Sequence, residues 1–241
     1  MKRCLPPLFA AASLSLGQAV AQTATSLPPS TLTEPAARQS SSQLYGRIEG
    51  DTYVSATGYF KVRIPVLAEL GGAITDTPNI VTFDDDFSVH TSVGAIPLTP
   101  ELRAEYEARG AKEFLVHFFT TLVMPDFVAR FPGAHTEESA TFLPKYQDGA
   151  LLIPLLLPGG SFFEHRVRVG PFRAPAVAKR GNLCFVKNGC FFVVSTELAE
   201  RVLERSTYTK TPQEENAILR QRLTDLVDKM VFLTPPPEPK N

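Results

Sequence analysis

The chain has 241 residues, 24 of them basic and 25 acidic, giving a formal net charge of −1. Its basic residues form no block, so neither a nucleic acid nor an anionic membrane surface has anything to attract it.

The chain opens with Met1-Lys2-Arg3, a short positive segment, followed by an uncharged apolar or small run from Leu5 to Leu16. Ala19-Val20-Ala21 then supplies a small-x-small cleavage pattern, so residues 1–21 are expected to be a signal peptide and the mature chain to begin near Gln22. The run falls short of the ~20 apolar residues that a bilayer-spanning helix needs, and no membrane insertion of the mature chain is expected. Cys4 precedes the apolar run, unlike a lipid-modified cysteine. Loss of Lys2 and Arg3 leaves 22 basic against 25 acidic residues, a net charge of −3. Residues 22–43 are mostly Ser, Thr, Pro, Ala and Gln, too polar to offset their ordering entropy, and are expected to form a disordered tether. Residues 44–233 are long enough for one core and are expected to form a single domain. Residues 234–241 are expected to be a disordered tail, because Pro235, Pro236 and Pro237 cannot continue a helix.

Within the domain, Tyr59 to Ile64 alternates, with Phe60, Val62 and Ile64 inward and Lys61 and Arg63 outward. Ile80–Phe83 and Phe87–Ile96 flank Asp84-Asp85-Asp86 as a hairpin. Thr99-Pro100-Glu101 reads as a helix N-terminus, with an N-cap and an N1 proline. Leu102, Tyr106, Phe114, Leu115, Phe118 and Leu122 continue that helix at three- and four-residue spacing, with Gly110 its weak point. Ser139–Leu143 and Ala150–Leu157 flank Gln147-Asp148-Gly149 as another hairpin. Pro144 and Pro154 each delete a ladder donor there, which predicts an edge or a bulge.

The clearest local signal is Leu183 to Val194. Asn188-Gly189 between two β-branched and aromatic runs specifies a two-residue turn with positive φ at both positions. Lys187 then pairs with Cys190, Val186 with Phe191 and Cys184 with Val193. Cys184, Val186, Phe191 and Val193 share one face; Leu183, Phe185, Cys190, Phe192 and Val194 share the other. The two cysteines therefore point to opposite sides and are expected to stay unbridged. Both faces are apolar, so this hairpin is expected to be covered on both sides. Ser195-Thr196-Glu197 reads as a cap for a short helix through Leu203. Thr211-Pro212-Gln213-Glu214 is a capping box, and Leu219, Leu223, Leu226 and Met230 form a helical stripe ending near Phe232.

Hairpins imply an antiparallel sheet, and two-faced strands need helices on both sides. The expected fold class is α/β (α+β): a three-layer α/β/α sandwich with a mainly antiparallel sheet built from hairpins.

The strand Tyr59-Phe60-x-Val62-x-Ile64-Pro65, the segment Val81-x-Phe83-Asp84-Asp85-Asp86-Phe87, the helix between strands, the Lys187-Asn188-Gly189 hairpin and the closing helix together resemble the PsbP-like superfamily, over roughly Tyr45 to Phe232. The resemblance implies a small non-enzymatic α/β/α sandwich that works by binding a protein or a complex. No individual functional residue is carried over from it.

Asp84-Asp85-Asp86 is the one acidic cluster; a Ca²⁺ or Mn²⁺ site is its functional alternative, but it lacks an Asp-x-Asp-x-Asp-Gly frame, and Asp is a good turn former. His90, His117, His135 and His165 have no i,i+4 pairing; His90 sits beside Ser88 and Ser92 on the more polar face of its strand. A zinc site assembled from distant histidines with Cys184 or Cys190 is the alternative to structural roles. Ser161 follows Gly159-Gly160 without a G-x-S-x-G elbow. Cys184 and Cys190 lie inside strands, where a thiol is inert. The run from Leu151 to Phe163 is expected to be core, with an exposed docking patch as its alternative. No catalytic, cofactor-binding or metal-binding residue is assigned, and no cofactor is expected. The expected function is that of a non-catalytic exported protein, periplasmic or secreted, whose domain binds another protein or a membrane-associated complex. Two alternatives remain: a hydrolase-type enzyme with a spatially assembled site, and a small-ligand-binding module. Convergent polar groups in one concave pocket would favour these alternatives.

Overall fold

The computed structural model describes residues 44–167, 175–204 and 207–234. The expected signal peptide and tether, and all but the first residue of the tail, lie outside the described residues. No described helix is long and apolar enough to cross a membrane.

In chain order the elements begin with β1 (Arg47–Glu49), β2 (Thr52–Val54), β3 (Phe60–Arg63), β4 (Ala73–Asp76), β5 (Ile80–Asp84) and β6 (His90–Pro97). Helices α1 (Pro100–Arg109), α2 (Ala111–Phe118) and α3 (Met124–Arg130) follow, and then β7 (His135–Thr136), β8 (Thr141–Leu143) and β9 (Ala150–Pro158). The chain continues through α4 (Glu164–Val167), β10 (Val177–Lys187), β11 (Cys190–Glu197), α5 (Ala199–Leu203), α6 (Pro212–Asp228) and β12 (Met230–Phe232).

Eight strands form one antiparallel sheet, with path β4-β5-β6-β11-β10-β9-β7 and β8 also on β9. The central hairpin has the register read from its turn: Lys187 faces Cys190, Val186 faces Phe191 and Cys184 faces Val193. Asn188 and Gly189 carry φ of 50° and 73°, as a type I′ turn demands. Both faces of the sheet are covered. On one side Cys184 and Phe191 pack with Phe114, Leu115 and Phe118 of α2. On the other, Leu183, Phe185, Cys190 and Phe192 pack with Leu223 and Val227 of α6. The two cysteines are free and buried on opposite faces. Burial pushes both thiols up, Cys190 to about 12, which leaves them protonated and unreactive.

The layer that holds α6 also contains a second sheet, which the single-sheet expectation lacked. It is antiparallel, in the order β1-β2-β3-β12. Its last strand corrects the expected helical stripe: α6 stops at Asp228, and Met230 and Phe232 pair with Val62 and Phe60 of β3. The strand wins because it brings the Phe232 ring against Phe185 and Phe192, at centroid distances of 5.6 and 5.1 Å. The Thr211 capping box is formed.

The helix expected from Thr99 to Leu122 is formed in three pieces. Thr99 caps α1 by accepting from the Leu102 amide at 3.3 Å. Gly110, at φ 77°, occupies the left-handed region open to glycine and separates α1 from α2. Phe119–Val123 then widens into a π turn before α3. Pro125 in the first turn of α3 has no N–H for a regular ladder. The cap expected at Ser195-Thr196-Glu197 is also corrected. These residues stay in β11, paired with β6 or β10 through Thr196 and Glu197, and α5 starts at Ala199 without a side-chain cap. Sheet pairing outweighs the local capping signal.

Residues Leu151 to Leu157 are core, apart from the half-buried Leu156, so the docking-patch alternative fails for this stretch. Pro154 sits where the outer edge of β9 has no strand partner, between the stretch paired with β8 and the stretch paired with β7. Alternation along β10 sends Lys179 to the α6 side, where it is fully buried. Its Nζ contacts Glu137, and it donates to Glu215 at 3.0 Å and to the Pro212 carbonyl at 3.3 Å. Arg201 Nη1 reaches both Glu215 oxygens, at 2.6 and 2.7 Å.

Candidate functional site

On the α3 side of the sheet, the same alternation lines up Ile80 and Thr82 of β5, His90, Ser92, Gly94 and Ile96 of β6, Val193 and Ser195 of β11, and Arg180 of β10. Several of these side chains are small or absent, so they do not fill the space beneath the helical layer. A cavity of about 500 Å³ remains. Its walls are Leu122 and Val123 of the π turn, Phe127 and Phe131 at α3, and the loop Gly159–Phe162. A π turn at a binding surface is a recurrent arrangement. Gly160 permits the loop's close approach: a Cβ there would lie 2.7 Å from the Leu157 Cβ and 2.9 Å from the Phe131 ring.

The polar groups of the cavity are held from behind. Glu197 is fully buried and fully engaged. Ser161 Oγ donates to its Oε1 at 2.6 Å, and the Phe162 amide and Arg180 Nη2 donate to its Oε2 at 3.1 and 3.3 Å. Ser161 Oγ in turn accepts from the Phe163 amide at 3.0 Å. Arg180 lies 5.9 Å from the Phe127 ring centroid. Burial pulls its guanidinium below the ordinary value, and Glu197, with Asp84, offsets only part of that effect. His90 donates Nδ1–H to Asp84, its cross-strand partner, and stacks on Phe162 at 4.7 Å. Asp126 and Arg130 pair weakly at the rim, 3.5 Å apart and largely exposed.

The structure therefore joins two residues that sequence reasoning treated separately, Ser161 and His90, in one cavity; it adds Arg180, which had not been singled out, and puts Glu197, read only as part of a helix cap, behind the lining. The other candidates lie elsewhere. Asp85 closes the β5–β6 turn, its Oδ1 accepting from the amides of Phe87, Ser88 and Val89. The Asp86 amide donates to the Leu70 carbonyl. His117 lies on the surface 3.4 Å from Glu105. His135 and His165 donate to the carbonyls of Gly133 and Phe162. Among the described residues, no three His, Cys, Asp or Glu side chains are grouped to hold a metal ion. One sequence signal for the cavity did exist: the polar face of β6, with His90 and Ser92 two residues apart, points into it.

No protein-family model matches the chain, and no curated protein matches it. Among solved structures the chain is distantly similar to a PsbP protein, the solution structure of cyanobacterial PsbP (CyanoP) from Synechocystis sp. PCC 6803, at 10% identity and a TM-score of 0.42, over 76% of this chain and 91% of that one.

Proposed function

We propose that the domain is a non-catalytic binding module that takes a small ligand into the cavity above β5, β6, β10 and β11. The observation that carries this reading is the cavity itself: about 500 Å³, with apolar walls and a few converging polar groups, the usual form of a ligand site. Ser161 supports a binding role over nucleophilic attack, because its hydroxyl is committed to Glu197 and to the Phe163 amide, which anchor the loop. Gly94 supplies the test. A Cβ there would make only ordinary contacts, 3.6 Å and longer, so Gly94→Leu fills the cavity without disturbing the strand. Naphthylacetamide, a neutral apolar probe, should bind the wild-type domain and bind Gly94→Leu about tenfold more weakly or worse by calorimetric titration. Equal affinity for both proteins would sink the reading.

A protein partner is the second reading, favoured by the exposed rim of Leu122, Ile80 and Phe162, at 56%, 46% and 37% exposure. An apolar patch of this kind suits a partner that inserts a side chain. Export completes the proposal. The uncharged run after Arg3 and the Ala19-Val20-Ala21 pattern support export with a mature terminus near Gln22. N-terminal sequencing of the protein from its own cells should begin there; an intact segment from Met1 would refute it.

A further inference from the structure

Arg180 is a cation placed where water is scarce: its side chain keeps 12% exposure, and that of Glu197 beside it none. A guanidinium carries five N–H donors in a rigid plane. Among the described residues, one hydrogen bond uses them, from Nη2 to Glu197 Oε2 at 3.3 Å, long for a charge-assisted contact. Its Nε is buried with no partner. Glu197 has little left to offer, since Ser161 and the Phe162 amide also draw on its two oxygens. Asp84 also favours the charged form, but it makes no hydrogen bond to Arg180 and is engaged by His90. Burial still outweighs both carboxylates, which leaves the guanidinium under-compensated at the wall of a mostly apolar cavity, and such a fork matches a planar two-oxygen acceptor. A phosphate dianion would call for more positive charge. Among the described residues, the other arginine lining the cavity, Arg130, sits at the exposed rim and is paired with Asp126.

We infer that the ligand of this cavity is a carboxylate carried on an apolar body, with Arg180 as the anchor of the carboxylate and Phe127, Phe131, Ile96 and Val193 around the body. The inference rests on the binding reading above and names its ligand class. Naphthylacetate and naphthylacetamide differ only in the group that would meet Arg180. Because hydrogen bonds to charged groups contribute well over those to neutral ones, the acid should bind wild-type protein about tenfold more tightly than the amide. Removing Arg180 alone would strand Glu197, so the variant used is Arg180→Met with Glu197→Gln, which removes both charges together. In that protein the acid's advantage over the amide should vanish, whatever the common change in affinity for the two probes, and Gly94→Leu should lose both probes. Equal affinities for acid and amide in wild-type protein, both lost in Gly94→Leu, would overturn the carboxylate inference and leave the cavity reading standing. An acid preference that survives the double variant would overturn Arg180 as the anchor. Failure of both probes to bind wild-type protein would overturn both readings.

Discussion

Replacing Lys179 with methionine should destabilise the domain by about 3–5 kcal/mol, because it strands a buried carboxylate. Lys179 and Glu215 are both fully buried, and among the described residues Glu215 would keep Arg201 as its one cationic partner. Urea unfolding followed by circular dichroism measures the loss. Lys187→Met provides the contrast: its pair with Asp148 is solvent-exposed, and its removal should cost under about 1 kcal/mol. The same cluster sets an acid limit. Burial alone would raise the Glu215 carboxyl, but hydrogen bonds from Lys179 and Arg201 outweigh it and hold the group below its ordinary value. A carboxyl lower in the folded than in the unfolded chain contributes its stability above the unfolded value and loses it as pH falls through the folded one. Lys179→Met removes one source of that lowering, so its acid unfolding midpoint should move to higher pH. A loss below 1 kcal/mol for Lys179→Met would mean that the cluster is not coupled to folding.

Phe191→Ala should cost about 3–5 kcal/mol, the range for deleting a large aromatic ring from a packed core. Phe191 is fully buried, with its ring 4.1 Å from Phe118 and 6.5 Å from Phe114. It joins the central hairpin to α2, so its removal leaves a void that neither the sheet nor the helix can close. Leu122→Ala, at the exposed cavity rim, should stay within about 0.5 kcal/mol. Thermal and chemical unfolding of the two variants would separate the packed side of the α2–α3 layer from its open side. Equal costs would mean that the cavity wall is part of the core.

The parts of the fold legible in the sequence were those set by local rules. Asn188-Gly189 fixed a turn, the turn fixed the register, and the register put Cys184 and Cys190 on opposite faces. Thr99 and Thr211 announced helix starts because a cap is a contact within four residues. The first strands were harder: Arg47-Ile48-Glu49 is exposed throughout and too short for a period to show. Met230 continued the spacing of Leu219, Leu223 and Leu226, and only its pairing with Val62 far back in the chain makes it a strand. The cavity was hidden for a related reason. Glu197 read as part of a helix cap, Arg180 carried no motif, and His90 marked only the more polar face of a strand. What turns that face inward is the helical layer with Phe127 and Phe131 above it, and no short window of sequence contains both.

The pairing of β12 with β3 also orders events in time. Phe60 and Phe232 lie near opposite ends of the described residues, so their pairing closes the longest loop among the described strand pairings. Loop-closure entropy grows slowly with length, but such non-local contacts are made late. The β10–β11 hairpin needs only its own turn and can assemble as soon as it is made. The N-terminal strands cannot finish: β3 keeps an open edge, and the rings of Phe185 and Phe192 lack the cover of Phe232, until the last residues of the domain arrive. A chain that emerges N-terminus first therefore waits on its final strand, which makes the small sheet the natural reporter of completed folding.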